Sequence, residues 1–511
     1  MKVQIAITLL VPTALGLISV PDSPPNFASD PIPKDLSSFS IELSSFPNYA
    51  GNTSIPNDFS YNLLSNLKEL TGVWPKVRVG GTTQDKSLFD PDQAEAIKLY
   101  FDKPGDDQPS RATYGPAFFE SYQTWEGVKF IHGFNFNYNG SDATEQLQSV
   151  SSAACTAMGQ RLFLSELGNE IDFAPGWPNF YRSPNWTMAD YVKEWNWKTD
   201  VMAKSIKESC PDVTTDFIAP SFIWTNLTGR APWNPADAFK LGLGDNGLVS
   251  EIGVHNYMNA DSKERFGVDN EDLQELLMNH SSIVGSLGPH IELARNLSDL
   301  GLPYILSETN SIAGQGRINK TDVLGDALWL VDYTLWAGAH GVKRIHFHQG
   351  MNYRYASWQP MESNGTLPTT RPPYYGHIMA SHALGNSSDT RIANIPLKED
   401  TESAYAIYDD NSLSRIAILN MQESFANATS RPTEKYTVKV PNHFHRARVD
   451  RLIAPGSDSR TNITFGGVSY DYTRSRGHPV VLNSPEYAAI KDGMLQIAVP
   501  ASSAVLLTLD G

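Results

Sequence analysis

PYILSETNSIAGQG occupies residues 303–316. Its first half is an apolar strand, Tyr304-Ile305-Leu306, that runs into a carboxylate, Glu308. Its second half is glycine and small polar residues. A solvated strand end would explain a lone Glu, but similar runs recur along the chain. FSIELSSF, KVRVGG, KFIHGFNFNY, RLFLSELGNE, DFIAPSFIW, EIGVHNYM, PYILSETNS and RIHFHQG make eight short apolar runs between about Phe39 and Gly350. Between them, TEQLQSVSSAACTAMG, MADYVKEWNWKTDVMAKSIKES and DVLGDALWLVDYTLWAGAHG carry apolar residues three or four apart. Strand–helix alternation of this kind predicts parallel pairing with right-handed crossovers. Eight repeats at this length predict an α/β fold, a closed (β/α)8 TIM barrel. An open doubly wound sheet is the alternative, but it usually has a glycine-rich loop after its first strand, and IELSSF has none.

After about Gly385 the pattern changes. AYAIYDD, SRIAILNM, EKYTVKVP, ARVDRLIAP, NITFGGVSY, PVVLN, MLQIAVP and SAVLLTLD are short strands with turn residues between them. Only SPEYAAIKDG keeps a helical character. This predicts a C-terminal all-β sandwich domain. The expected division is a signal peptide over 1–20, an N-terminal segment over 21–35 lying on the β domain, a catalytic barrel over 36–385 and a β-sandwich over 386–511.

The leader reading rests on MKVQIAITLLVPTALGLISV, one Lys followed by an apolar run, with cleavage expected between Gly16 and Ser23. A retained anchor is the alternative, which Pro12 disfavours; no later run is long and apolar enough to span a bilayer. N-x-S/T acceptors follow at Asn52, Asn139, Asn185, Asn226, Asn279, Asn296, Asn319, Asn364, Asn386, Asn427 and Asn462. So dense a set behind a leader predicts a secreted, extracellular glycoprotein. Cys155 and Cys210 are the two cysteines, which form one disulfide or stay as two buried thiols. A net charge of −16 leaves no basic surplus for nucleic acid. Neither a nucleic-acid nor a membrane partner is expected, and a monomer is the default.

In a barrel, active residues sit at the carboxyl ends of strands. Those ends carry Glu42, Gly80-Gly81-Thr82, Gly168-Asn169-Glu170-Ile171-Asp172, His255-Asn256-Tyr257, Glu308 and His348-Gln349-Gly350. Glu170 and Glu308 are far apart in sequence, yet a barrel brings their strands to face one another. Paired carboxylates on one cavity suit glycosidic bond cleavage, in which one protonates the leaving oxygen and the other attacks the anomeric carbon. His255, His346 and His348 could suggest a metal, but no Cys or paired carboxylate stands near in sequence. They read as hydrogen-bonded barrel histidines, and no metal or cofactor is expected. Gly80-Gly81-Thr82 lacks the Lys and spacing of a phosphate loop and reads as tight packing.

These residues resemble those of glycoside hydrolase family 79, the family of β-glucuronidases and heparanase, within a clan of retaining barrel enzymes. VRVGGTTQDKSLFDP (residues 77–91) resembles the LRFGGT…FDP segment of heparanase, and SETNSIAGQG resembles its nucleophile loop. The likeness covers nearly the whole chain and is fungal in type. It implies Glu170 as acid/base after Asn169, and Glu308 as nucleophile. It also implies that backbone N–H groups from Ala313 through Gly314, Gln315 and Gly316 hold a sugar carboxylate. Gln315 stands where heparanase has glycine. Glu42 and Thr82 are expected at the sugar, Asn169 at its 2-OH, Tyr257 on the nucleophile and Tyr355, in preference to Tyr353, at the carboxylate. Arg317 and Arg354 are the alternatives for that last role. The implied activity is retaining exo-β-glucuronidase action on terminal β-glucuronic acid, or its 4-O-methyl form, in glycans or glycoconjugates. An endo-acting heparanase-like hydrolase and a catalytically silent glycan-binding glycoprotein are the alternatives.

Overall fold

The computed structural model describes residues 17–103, 108–176, 182–183, 185–225, 233–260 and 272–511. Eight parallel strands close a barrel: β1 (Ser37–Glu42), β2 (Val77–Gly80), β3 (Phe130–Phe134), β4 (Leu162–Leu167), β5 (Phe217–Phe222), β6 (Val249–Ala260), β7 (Tyr304–Ala313) and β8 (Arg344–Gln349). They follow one another around the ring in chain order, and β8 pairs with β1. The expected eight runs are these eight strands.

Period-two alternation sorts each strand. Phe39 and Ile41 of β1 and Val77 and Val79 of β2 join the apolar core shared with the helices. Ser40 and Arg78, a pair in register, bond to one another inside the barrel. Low in the barrel, Ile131, Leu164, Ile218 and Ile305 form a small separate apolar cluster. In β7 strict alternation from Ile305 would aim Glu308 outward. Leu306 pairs with Val254 and Glu308 with His255, so Ser307 is an extra residue, a bulge. Such a bulge reverses the phase of the side chains that follow and turns Glu308 inward.

Beyond the barrel lie two sheets. The larger includes, in order, Thr390–Ile395, Glu402–Asp409, Ser412–Asn420, Ser503–Asp510 and Arg446–Ile453. The smaller holds Leu17–Ser19, Thr433–Lys439 and Met494–Pro500. Strands of the larger sheet are buried on both faces. Tyr405, Ile407, Ala417, Leu419 and Leu506 belong to the core shared with the barrel. Their neighbours Ala404, Ala406, Ile416, Ile418 and Val505 pack with the smaller sheet. This double burial explains why SRIAILNM and SAVLLTLD are nearly continuous apolar runs. The helix Leu324–Ala339 is buried along its whole length, as a helix apolar on every side must be.

Two expectations are corrected. The stretch expected as helix contains the strand Glu486–Ala489, which completes the open edge of Arg446–Val449; Tyr487 lies beneath the Arg446 guanidinium. The short helix nearby is Tyr472–Ser475. Residues 1–16 lie outside the described residues, but Leu17–Ser19 pairs in parallel with Thr437–Lys439, and Ile18 and Val20 are buried. The β domain thus uses residues that the sequence assigned to the leader. Residues 21–35 run along that domain, with the Ser29 and Ile32 N–H groups donating to the Ile392 and Thr390 carbonyls.

Cys155 and Cys210 form a disulfide that ties the helix Ala143–Met158 to the end of Met188–Ser209. Asn52, Asn139, Asn185, Asn296, Asn319, Asn364, Asn386, Asn427 and Asn462 are exposed. Asn279 is half-buried and caps the helix after it, while Asn226 lies outside the described residues. No helix among the described residues is long and apolar enough to cross a membrane.

Candidate active site

Arg78 organises the barrel mouth. It donates from Nη1 to Glu308 Oε2 (2.5 Å) and Ser40 Oγ (3.0 Å), from Nε to Glu166 Oε2 (2.7 Å) and from Nη2 to Asn169 Oδ1 (2.8 Å). Glu166 also accepts from Ser221 Oγ at 2.6 Å. Burial would weaken the Arg78 charge, but Glu166 and Glu308 reverse this and hold the proton more firmly than usual. A wholly buried cation is tolerated when it is paired this fully.

Glu308 takes its second hydrogen bond from the Tyr257 hydroxyl, 2.7 Å from Oε1. Burial raises the Glu308 pKa; His348, His255, Arg78 and the Tyr257 bond outweigh it and hold the carboxyl well below the usual range. Glu170 differs. Its residue sits at φ 54°, in the left-handed region, after Gly168 at 88°. Its Oε1 lies 3.0 Å from His255 Nδ1. Burial first, then the charge of Glu308, pushes Glu170 up to about 8. His255 is itself lowered by burial to about 4 and is neutral at ordinary pH. One carboxyl is therefore ionised and the other protonated near neutrality, the division that acid and nucleophile require. Ligand atoms of Glu170, His255 and Glu308 all lie within 4.8 Å of one another. Three such donors could coordinate a cation, but the Glu308 oxygens are already engaged by Arg78 and Tyr257. One oxygen of each carboxyl lies within 4.8 Å of the other, in keeping with the separation of about 5–5.5 Å between the carboxyl groups of a retaining pair.

Asp85 fixes the strand ends around Glu170. It accepts from the N–H groups of Phe136, Asn137 and Asn169, at 2.6, 3.2 and 2.5 Å. With its backbone held there and Oδ1 given to Arg78, Asn169 keeps its amide NH2 without an acceptor among the described residues. That group is placed to donate to a sugar hydroxyl.

Glu42 anchors a second cluster. Oε1 accepts from the backbone N–H and hydroxyl of Thr83 (2.9 and 2.5 Å), and Oε2 from the Tyr353 hydroxyl (3.1 Å). His348 Nε2 lies 3.4 Å from Glu42, and its Nδ1 lies 3.6 Å from Glu308. A Cβ on Gly81, which sits at φ 87°, would come within 2.9 Å of both Glu42 oxygens and His348. Gly81 is thus a packing requirement of this cluster. The threonine that holds Glu42 is Thr83, and the expected Thr82 is half-buried with no hydrogen-bond partner among the described residues.

In the loop after β7, Gly314, Gln315 and Gly316 have φ of 79°, 73° and 75°. A Cβ on Gly316 would strike the Thr321 hydroxyl and the Tyr355 backbone. The Gly316 N–H donates to the Ile312 carbonyl at 3.1 Å, so this expected donor is already committed within the chain. Tyr355 lies over this loop, its ring centroid 6.3 Å from that of Tyr257, whereas Tyr353 is tied to Glu42 and Gln108. Sequence reasoning brought Glu42, Asn169, Glu170, Tyr257, Glu308 and Tyr355 to this mouth. It missed Arg78, although a charged residue alternating with two valines in V-R-V was the available signal. It also left out Thr83 and Asp85 and treated His255 and His348 as scaffold.

Residues 404–506 match the glycosyl hydrolase family 79 C-terminal beta domain. A β-glucuronidase of Aspergillus niger is 40% identical over 96% of this chain and 94% of its own. The chain belongs to glycoside hydrolase family 79. A second relative, a β-glucuronidase of Neurospora crassa, is 34% identical over 97% of each chain. Among solved structures, a 4-O-α-L-rhamnosyl-β-D-glucuronidase from Fusarium oxysporum 12S, in complex with Rha-GlcA, superposes with a TM-score of 0.81 at 25% identity, covering 96% of this chain and 100% of that one.

Proposed function

We propose that this family 79 protein is a retaining exo-β-glucuronidase acting on terminal β-glucuronic acid in glycans or glycoconjugates. The observation that carries the reading is the pairing of an ionised Glu308 with a protonated Glu170 on one cavity, with donor atoms within 4.8 Å. Full-length likeness to the two fungal β-glucuronidases supports the sugar. Glu308 attacks the anomeric carbon while Glu170 gives its proton to the leaving oxygen. Once Glu308 is esterified its charge is gone. That charge is the largest electrostatic contribution raising Glu170, so Glu170 becomes a stronger acid and its carboxylate can accept a proton from water. Arg78 and Tyr257 orient the nucleophile, Asn169 meets the 2-OH, and Glu42 meets the remaining hydroxyls. Loop N–H groups and Tyr355 meet the carboxylate. The 4-O-methyl sugar is a candidate substrate too. Secretion is proposed from the leader pattern and the exposed acceptor asparagines, which support a glycosylated extracellular protein.

The test is hydrolysis of an aryl β-glucuronide beside the matching β-glucoside and β-galactoside. Selective release from the glucuronide, with the first product formed in the β-configuration, is expected. Release of the α-anomer would overturn retention, and no release from the glucuronide would overturn the activity.

A further inference from the structure

Four hydrogen bonds join the Gly314–Gly316 turn to Arg354, which has no part in the chemistry above. Its guanidinium donates from Nη2 to the Gly314 carbonyl (3.1 Å), from Nε to the Gly316 carbonyl (3.0 Å) and from Nη1 to Gln315 Oε1 (3.3 Å). Its backbone N–H donates to the Gln315 carbonyl at 2.7 Å. In a planar trans peptide the C=O and N–H point in opposite directions. Drawing the Gly314 carbonyl towards Arg354 therefore turns the Gln315 N–H away from it. The next two N–H groups are engaged: Gly316 donates to Ile312 and Arg317 to Thr321 Oγ1 (2.8 Å). That of Gln315 has no acceptor among the described residues. Gln315 is also a non-glycine residue at φ 73°, an unfavourable conformation that needs support from its surroundings. Arg354 supplies that support through both the backbone and the side chain of Gln315.

We propose that Arg354 is a positioning residue for recognition of the sugar carboxylate. It fixes the three carbonyls on one side of the turn and so presents the Gln315 N–H on the other. Its positive charge behind the Gly314–Gln315 peptide deepens the attraction for an anion. The role belongs to the forked guanidinium, because a lysine ammonium cannot reach three acceptors spread in this way. This inference rests on the β-glucuronidase reading.

The test measures kcat and KM on an aryl β-glucuronide and the matching aryl β-glucoside for the wild type, Arg354→Ala and Arg354→Lys, with active sites counted by titration. If the wild type does not hydrolyse the glucuronide, the activity reading and this proposal both fall. If the wild type prefers the glucuronide, the variants judge Arg354 alone. In Arg354→Ala the glucuronide KM should rise about tenfold or more, the scale of one charge-assisted hydrogen bond, with a smaller change in kcat. The glucuronide-to-glucoside ratio of kcat/KM should fall by a similar factor, and Arg354→Lys should lie between. Added methylguanidinium should recover part of the Arg354→Ala loss. Should Arg354→Ala fail to fold, Arg354→Lys carries the same test at about threefold or more, the smaller loss expected when charge is kept. A merely structural role would lower the active fraction and leave KM and the ratio unmoved, and that result overturns the proposal.

Discussion

At the amino-terminal end of the barrel strands, Arg344 donates to both oxygens of Glu251 (2.8 and 2.7 Å) and to Asp35 (3.1 Å), and Lys76 donates to Asp35 (2.9 Å). Two cations serve two carboxylates. Burial would raise Asp35, but Arg344 and Lys76 outweigh it and hold it below its ordinary range. At the other end Arg78 serves Glu166 and Glu308, while Glu170 has the neutral His255 and Glu42 has the Thr83 and Tyr353 donors with His348 nearby. Carboxylates outnumber permanent cations there. The residue types are alike at the two ends, but the charge balance is not. Balanced charge gives a closed set of ion pairs that holds Asp35 ionised. An excess of buried acid leaves one carboxyl, Glu170, holding a proton near neutral pH. The inner face of β8 spans both ends, with Arg344 below, His346 in the middle and His348 at the mouth.

The comparison breaks most sharply at Glu308. Glu308→Gln should lower turnover of every substrate on the order of 10⁴-fold or more, as loss of a covalent nucleophile does. The variant should stay folded, since Arg78 keeps Glu166. A well-folded variant retaining more than a few per cent of activity would exclude Glu308 as nucleophile. Glu170→Ala should cost roughly 10²–10⁴-fold on substrates with poor leaving groups and far less on activated aryl glucuronides. Added azide should rescue it by entering the vacated space and attacking the glycosyl-enzyme. Equal losses on both substrate types, without rescue, would contradict the acid/base role.

The sequence made the eight strands legible because each pairs an apolar outer face with a turn signal. It also made Glu170 and Glu308 legible, through their places at strand ends and the neighbouring motifs. It could not aim Glu308, whose inward direction depends on the Ser307 bulge, a register feature with no local composition cue. Nor could it choose between Thr82 and Thr83, because adjacent turn residues point in different directions and only the closed ring decides which meets Glu42. EYAAI was misread because alanine and glutamate favour helix, whereas the unpaired edge of Arg446–Val449 drew the segment into a strand.

The opposite end sharpens the comparison through stability. Arg344→Met should destabilise the fold by about 3–5 kcal/mol, since it strands a buried carboxylate at Glu251. Each surviving active site should keep its kcat/KM on a glucuronide within about twofold, because Arg344 touches nothing at the mouth. Denaturant unfolding together with active-site titration separates the two effects. A large kinetic defect per active site would mean that the ends are coupled, with His346 and His348 as the connecting residues to examine.

The smallest effects should appear in the pH dependence, with opposite signs at the two ends. Glu170 is raised to about 8, so between the unfolded carboxyl range and that value the folded chain binds more protons than the unfolded one. Its contribution to stability therefore declines as pH rises through that window. Asp35 is depressed, so its contribution is complete above the unfolded carboxyl range and is lost as pH falls through the lower folded value. Kinetics should follow the mouth alone: kcat/KM on a glucuronide with a poor leaving group should fall about tenfold per pH unit above about 8, as Glu170 loses its proton. Asp35→Asn should alter the acid side of the stability profile and leave that alkaline kinetic limb in place. In Glu308→Gln the negative neighbour is gone, so the Glu170 pKa should drop, a shift that carbon-labelled carboxyl NMR can follow. If Glu170 titrates unchanged in Glu308→Gln, burial alone sets its proton affinity, and the change from acid to base after ester formation needs another source.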